Sequence, residues 1–125
     1  MNIGFLRARL HVLGFSFNFV NRPLYEKLAT VLTEDNSIIA ILEGTDQSTG
    51  RWTSFVIADD QVFILSSDSE EGVDIAIHKR SEVTIVEIDE KGDSFSIITI
   101  KTPLHFYSLK KVETSQALIF SGALK

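Results

Sequence analysis

The apolar positions of residues 1–20 fit two different periodicities. Spacings of three and four residues, typical of one face of a helix, are shared by Ile3, Leu6, Leu10, Leu13, Phe17 and Val20. Between residues 15 and 19, however, phenylalanines alternate with Ser16 and Asn18, as they would in a strand. We therefore predict a helix that ends near Gly14, and the choice between helix and strand stays open for the rest of this segment.

A second amphipathic helix is predicted over residues 23–33. Pro23 suits the first turn of a helix, because the backbone N–H that proline lacks would have no partner there. Apolar residues then recur at helical spacing: Leu24, Leu28, Val31 and Leu32. We divide the chain into an amphipathic extension, residues 1–22, and one domain, residues 23–125.

Strands are predicted from Ser37 to Leu109. Apolar runs separated by turn signals give about seven of them: "SIIAILEG", "RWTSFVIA", "QVFILSS", "VDIAIH", "SEVTIVEID", "SFSIITIK" and "LHFYSL". The pair Asp59 and Asp60 forms a two-residue turn between two of these runs, which is typical of a meander. Alternation in "VDIAIH" indicates a strand with one solvent-facing side.

Two of the predicted strands change their buried phase halfway. "VTIVEI" and "FSIITI" both run apolar, polar, apolar, apolar, polar, apolar. Such a slip indicates either a β-bulge, which bends the strand, or a strand whose centre is covered on both faces. Either alternative predicts a curved sheet.

A closing helix is predicted over residues 110–125. Val112, Ile119, Phe120 and Ala123 would share one side of it, and Leu109 leads in. The predicted fold is therefore mainly β (α+β): a curved antiparallel barrel of about seven strands, a C-terminal capping helix and an N-terminal helical extension.

Charge is unevenly distributed along the 125 residues. Residues 1–33 contain four basic residues and one acidic residue, and residues 94–125 contain the same numbers. Residues 34–93, in contrast, contain four basic and fifteen acidic residues. Because phosphates are attracted to clustered lysine and arginine, this acidic middle argues against binding to nucleic acid.

The residues that carry chemistry form no catalytic pattern. The chain has no cysteine, no Gly-x-Ser-x-Gly elbow, no phosphate-binding glycine loop and no His-Glu-x-x-His motif. His78 and His105 have no metal-binding spacing; we expect His78 on the surface and His105 either in the core or in a pH-sensitive contact. We predict no enzyme, no metal and no cofactor.

Three stretches carry a resemblance to a known family. They are "PLYEKLATVL" before "EDNSIIAILEG", the hairpin "SFVIADDQVFILSS", and "IAIHKRSEVTIVEIDEKGDSFSIITIKT" before the last helix. Across residues 23–124 the chain resembles the bacterial pleckstrin-homology-like (PH-like) domains, the YokE-like kind in particular. The resemblance implies a PH-like barrel that acts as a non-catalytic module for protein binding or oligomerisation, with edge strands as possible assembly surfaces.

The chain departs from that family at the loops that hold phosphates. Asp59 and Asp60 stand where relatives tend to place a basic pair, "TDQSTGR" offers only Arg51, and "DSEEG" is acidic. A phosphorylated headgroup would meet repulsion there. We therefore expect no phosphoinositide binding, and we read the acids of "SSDSEEGVD" as solvated loop residues and not as a calcium site.

Eight residues are candidates for binding a partner: Phe5, Arg7, Arg9, Phe15, Phe17, Phe19, Arg51 and Trp52. The phenylalanines of residues 1–20 either add to the core or form an exposed apolar patch. An exposed patch would serve a homo-oligomer in the first place. Weak membrane contact through residues 1–20 is the alternative, since each arginine would add only about 1 kcal/mol near an anionic surface.

The sequence also indicates a compartment. No run approaches the ~20 apolar residues that a spanning helix needs, and the first apolar run is interrupted by His11, Ser16 and Asn18 and lacks a cleavage site. We expect a cytoplasmic protein, with peripheral membrane association as the alternative.

Overall fold

The computed structural model describes residues 1–68, 72–92 and 94–125. Its elements are, in chain order, α1 (Ile3–Val12), α2 (Arg22–Val31), β1 (Ile38–Asp46), β2 (Trp52–Ala58), β3 (Gln61–Asp68), β4 (Gly72–Lys79), a 3-10 turn (Arg80–Glu82), β5 (Thr84–Glu90), β6 (Phe95–Lys101), β7 (Phe106–Glu113) and α3 (Thr114–Leu124). The fold is mainly β, as predicted. The predicted loop "DSEEG" and the predicted turn "EKGD" lie partly outside the described residues.

The seven strands form one antiparallel sheet in the order β4-β3-β2-β1-β7-β6-β5. β1 pairs with β2 along most of its length, but it meets β7 only where Thr45 faces Lys110 and Asp46 faces Leu109. This short junction joins the first four strands to the last three.

Both faces of β1, β2 and β3 are covered. On one face, Ile41, Val56, Phe63 and Leu65 pack against Leu6 and Leu10 of α1 and Leu24 and Leu28 of α2. On the other face, Leu42, Phe55, Ile57 and Ile64 pack against β6, β7 and the buried Ala117 and Phe120 of α3. The extension is therefore a third layer of the domain.

The two N-terminal helices begin and end for local reasons. Asn2 caps α1, because its Oδ1 accepts the N–H groups of Gly4 and Phe5 at 2.8 and 3.3 Å. α1 ends before Gly14, whose φ of +87° favours glycine and stops the helix. The predicted end near Gly14 is confirmed, and so is Pro23 in the first turn of α2.

One of the two predicted phase slips is a β-bulge: the pairing of β5 with β6 shifts register between Ile85 and Glu87, with the extra residue on β5. The slip predicted in β6 is wrong, because Ser96, Ile98 and Ile100 are buried in strict alternation. The register shift between β6 and β7 comes from an extra residue on β7.

The predicted turn at Asp59 and Asp60 is also confirmed. The Asp59 side chain accepts hydrogen bonds from the Asn36 side chain at 2.8 Å and from the Ser37 N–H at 3.3 Å, so Asp59 also anchors the segment before β1.

The predicted start of the closing helix is wrong. α3 begins at Thr114, and Val112 is a buried residue of β7, because β7 pairs with β6 as far as Glu113. Ile119 was predicted to face the core, but its side chain is 64% exposed. The buried side of α3 is formed by Ala117 and Phe120 instead.

Candidate functional site

A groove lies between α1 and α2 at the outer layer of the domain. Its volume is about 620 Å³. Its main lining residues are Ile3, Arg7, Phe17, Phe19, Arg22 and Pro23. We call this feature the N-terminal groove.

Two aromatic residues of the groove have opposite environments. Phe17 is half-buried and stacks on Tyr25 of α2, with ring centroids 5.5 Å apart and ring planes 19° apart. Phe19 is 97% exposed. Because water disfavours an exposed phenyl ring, Phe19 is suited to bury itself against another molecule.

The groove is positively charged. The guanidinium carbon of Arg7 lies 5.9 Å from the centre of the Phe17 ring, a cation–π distance. Arg22 Nε lies 3.8 Å from Glu26 Oε1, and both side chains are largely exposed. Two arginines and one glutamate leave one net positive charge beside the exposed phenyl ring.

A buried carboxylate lies beneath the helical layer. Glu43 of β1 is 9% exposed and accepts a hydrogen bond from the Tyr25 hydroxyl. Asn21 Nδ2 donates to its two carboxylate oxygens at 3.3 and 3.2 Å, and Tyr25 Oη lies 3.0 Å from Ser54 Oγ. Burial raises the pKa of Glu43, while the hydrogen bonds from Tyr25 and Asn21 act in the opposite direction.

Three other candidates of the extension lie outside the groove. Phe15 is buried in the core, so of the two alternatives for these phenylalanines, added core or exposed patch, Phe15 follows the first. Phe5 and Arg9 contact each other, with the guanidinium carbon 4.7 Å from the ring centre. Arg9 Nη1 also donates to Asn36 O at 3.4 Å. The structure therefore brings Arg7, Phe17 and Phe19 together and separates them from the rest.

The two candidates at the start of β2 belong to different surroundings. Arg51 Nη1 lies 3.2 Å from Asp74 Oδ2 in a largely exposed ion pair. Trp52 packs partly against the core under the helices, and its buried indole N–H is close enough to the Glu43 carboxylate to act toward lowering the pKa of Glu43. Neither lines the N-terminal groove.

A second cleft, of about 390 Å³, opens between the β1–β2 loop, β4 and the β6–β7 loop. His78, His105 and Tyr107 line it together with Arg51 and Asp74. Burial raises the pKa of Tyr107, and the charge of Asp46 adds to that shift. Within the described ranges, no group of three or more histidine, aspartate and glutamate side chains is placed to hold a metal ion.

The residues of the groove and its support that were missed from the sequence include Asn21, Arg22, Tyr25 and Glu43. Tyr25 follows Asn21 by one helical turn, and Glu43 follows Ile41 by two strand positions. These spacings put Asn21 and Tyr25 on one face of the helix and Glu43 on the face of β1 that Ile41 buries. The missing information was that a helical layer covers this face.

Comparisons with known proteins do not identify the chain. No protein-family model, curated protein or solved structure matches it. Among the described residues, no helix is both long enough and apolar enough to cross a membrane.

Proposed function

We propose that this protein is a PH-like, non-catalytic binding module that assembles with further copies of itself through the N-terminal groove. The sequence resemblance to bacterial PH-like domains is one support for the proposal. An antiparallel sheet of seven strands followed by one helix is another, since this is the arrangement that the resemblance implies.

The exposed Phe19 is the observation that carries the binding surface. A phenyl ring that is almost fully exposed, beside a groove with two arginines, has the composition of an interface hot spot. Phe17 and Arg7 form one side of that groove and are already ordered by stacking on Tyr25 and by the cation–π contact. Binding would therefore cost little further conformational entropy in the side chains of Phe17 and Arg7.

Charge complementarity makes a second copy the partner. β5 is an edge strand of the sheet, and its exposed carboxylates include Glu87 and Glu90. A groove with Arg7 and Arg22 attracts such a surface, and both surfaces are present on every copy. Contact between the groove of one copy and β5 of the next is head-to-tail, and it closes as a ring or grows as a chain.

Sedimentation velocity over a range of protein concentrations tests this function. We expect the wild-type chain to self-associate, and we expect Phe19→Ser to shift the equilibrium toward monomer by at least tenfold, about 1.4 kcal/mol. Val12→Ser is the matched control, since Val12 is also exposed but lies outside the groove. A wild-type chain that stays monomeric at every concentration contradicts the proposal.

The second candidate function is contact with an anionic membrane surface. The specific observation in its favour is that Phe19 and Val20 are adjacent, exposed and close to Arg22. Co-sedimentation with vesicles containing phosphatidylserine tests it, with Phe19→Ser for comparison. Pelleting of the wild-type chain but not of the variant supports membrane contact, and no pelleting of either excludes it.

A further inference from the structure

The turn that presents Phe19 is closed by two asparagines. Asn18 Oδ1 accepts the N–H groups of Val20 and Asn21 at 2.9 and 2.8 Å. Asn21 Oδ1 in return accepts the N–H of Asn18 at 2.8 Å. The backbone of the turn is thus held from both ends, and its conformation depends on which way the Asn21 amide points.

Glu43 determines the orientation of that amide. Asn21 is 1% exposed, and its Nδ2 donates to Ser16 O at 3.0 Å as well as to the carboxylate of Glu43. Reversing the amide would place Oδ1 against the negative carboxylate and leave no acceptor for the Asn18 N–H. The buried charge therefore selects the orientation that closes the turn.

Glu43 is also connected to the other aromatic residue of the groove. The Tyr25 hydroxyl donates to Glu43, and the Tyr25 ring carries the stacked Phe17. A buried carboxylate is costly compared with an apolar residue of similar size, and Ile41, on the same face of β1, packs in the apolar core. The hydrogen bonds of Glu43 run to Tyr25 of α2, which supports Phe17, and to Asn21, the residue before α2, which holds the turn of Phe19.

We infer that Glu43 is a positioning residue: through Asn21 it holds the loop of residues 15–21 in the conformation that presents Phe19 for binding. Its second hydrogen bond, from the Tyr25 hydroxyl, supports the ring on which Phe17 stacks. The inference rests on the proposed function for what the loop binds. The fixing of the loop by Glu43 is independent of any partner.

Amide hydrogen exchange measured by NMR at low protein concentration tests whether Glu43 holds the loop of residues 15–21 in place. In Glu43→Met, the amides of Asn18 and Val20 are expected to exchange about tenfold faster, since a turn that loses charge-assisted hydrogen bonds opens more often. The amide of Leu10 in α1 is expected to change less, because Leu10 is held by core packing. Unchanged exchange at Asn18 and Val20, or an equal increase at Leu10, overturns the inference.

Tyr25→Phe is the matched control. It removes one hydrogen bond to Glu43 but leaves both bonds from Asn21 and the stacking surface for Phe17. The variant is expected to unfold more easily, while exchange at Asn18 relative to Leu10 stays within about threefold of wild type. An increase as large as that of Glu43→Met would mean that the loop responds only to general loss of stability, which also overturns the inference.

A double variant that exchanges the donor and acceptor roles of residues 21 and 43 distinguishes positioning by hydrogen bonds from simple packing. Asn21→Asp places a second carboxylate against Glu43, so we expect fast exchange at Asn18. Adding Glu43→Gln supplies an amide that donates to the aspartate, so exchange is expected to slow again in part. The recovery stays incomplete because an aspartate cannot donate to Ser16 O as Asn21 Nδ2 does. A double variant that exchanges as fast as Asn21→Asp alone contradicts the inference.

Sedimentation of the same variants distinguishes this inference from the proposed function. If the wild-type chain self-associates, Glu43→Met is expected to weaken association by about tenfold although Phe19 is intact. If Glu43→Met shows fast exchange in the loop but associates as strongly as the wild-type chain, the positioning role is overturned. A monomeric wild-type chain refutes the proposed function, while the exchange data still decide whether Glu43 fixes the loop.

Discussion

Gly44 lies where β1 and β7 pack closely together, and an alanine there should not fit. A Cβ atom on Gly44 would lie 2.6 Å from Val112 Cγ2, 2.7 Å from Lys110 O and 3.2 Å from Leu109 Cβ. The valine methyl group could shift, but Lys110 O belongs to the backbone of the strand that joins the two parts of the sheet. Gly44→Ala must therefore either separate β1 from β7 or strain both strands.

The expected loss of stability follows from these contacts. Overpacking a well-packed core costs about 1–3 kcal/mol, and a clash with backbone at the strand junction places this variant at about 3 kcal/mol. With a urea m-value of about 1.5 kcal/mol/M, the unfolding midpoint should fall by about 2 M. Urea titration monitored by the fluorescence of Trp52 and by circular dichroism measures the shift.

Gly122→Ala is the matched control for this prediction. A Cβ on Gly122 would meet nothing within 4 Å, and Gly122 lies in α3. Alanine at a helical position stabilises by up to about 1 kcal/mol relative to glycine, so the midpoint should rise or stay. If Gly44→Ala unfolds within 0.5 kcal/mol of the wild-type chain, taken as about the size of a surface substitution, the close approach of β1 and β7 is refuted.

Three further predictions concern stability. Phe55→Ala should lower the free energy of unfolding by about 3–5 kcal/mol in urea titration, because the ring is fully buried and lies edge-on to Phe120; a loss below 1 kcal/mol would contradict the core assignment. The wild-type chain should lose stability relative to Glu43→Gln as the pH rises from 4.5, the ordinary pKa of a glutamate, through the raised pKa of Glu43 in the folded chain. The reason is that Glu43 ionises at a lower pH in the unfolded chain than in the folded chain. A constant or rising difference in the free energy of unfolding would refute the raised pKa. Arg22→Ala should change the free energy of unfolding by less than about 0.5 kcal/mol, because its pair with Glu26 is exposed, and a larger loss would show that Arg22 supports the fold as well as the groove.

The sheet could be predicted largely from the sequence, whereas the start of the last helix could not. The phase slip in "VTIVEI" indicated a bulge, and β5 has one before Glu87, because an extra residue displaces the buried phase by one position. The slip predicted in "FSIITI" is absent, because the polar Ser96 is buried and Phe95 is exposed. The residues "KKVET" fit a helix as well as a strand. Pairing with β6 as far as Glu113 decides in favour of the strand, and local periodicity contains no information about such distant pairing.

The binding surface was predictable only in part for a related reason. Phe15, Phe17 and Phe19 alternate along the sequence, yet one is buried, one half-buried and one exposed. Their environments depend on where the loop lies over the sheet, and that position depends on hydrogen bonds between Asn21 and Glu43, which are 22 residues apart. Contacts at this separation leave no periodic trace in a single sequence.

A mixing experiment with charge-reversed chains tests self-assembly through the groove most directly. One variant carries Arg7→Glu and Arg22→Glu in the groove, and the other carries Glu87→Lys and Glu90→Lys on β5. Each alone should be monomeric in sedimentation velocity at low salt. An equimolar mixture should assemble into alternating rings or chains that dissociate at high salt, because every groove then meets a β5 strand of opposite charge on the other variant. A mixture that stays monomeric, while the wild-type chain associates, would contradict the assignment of these two surfaces.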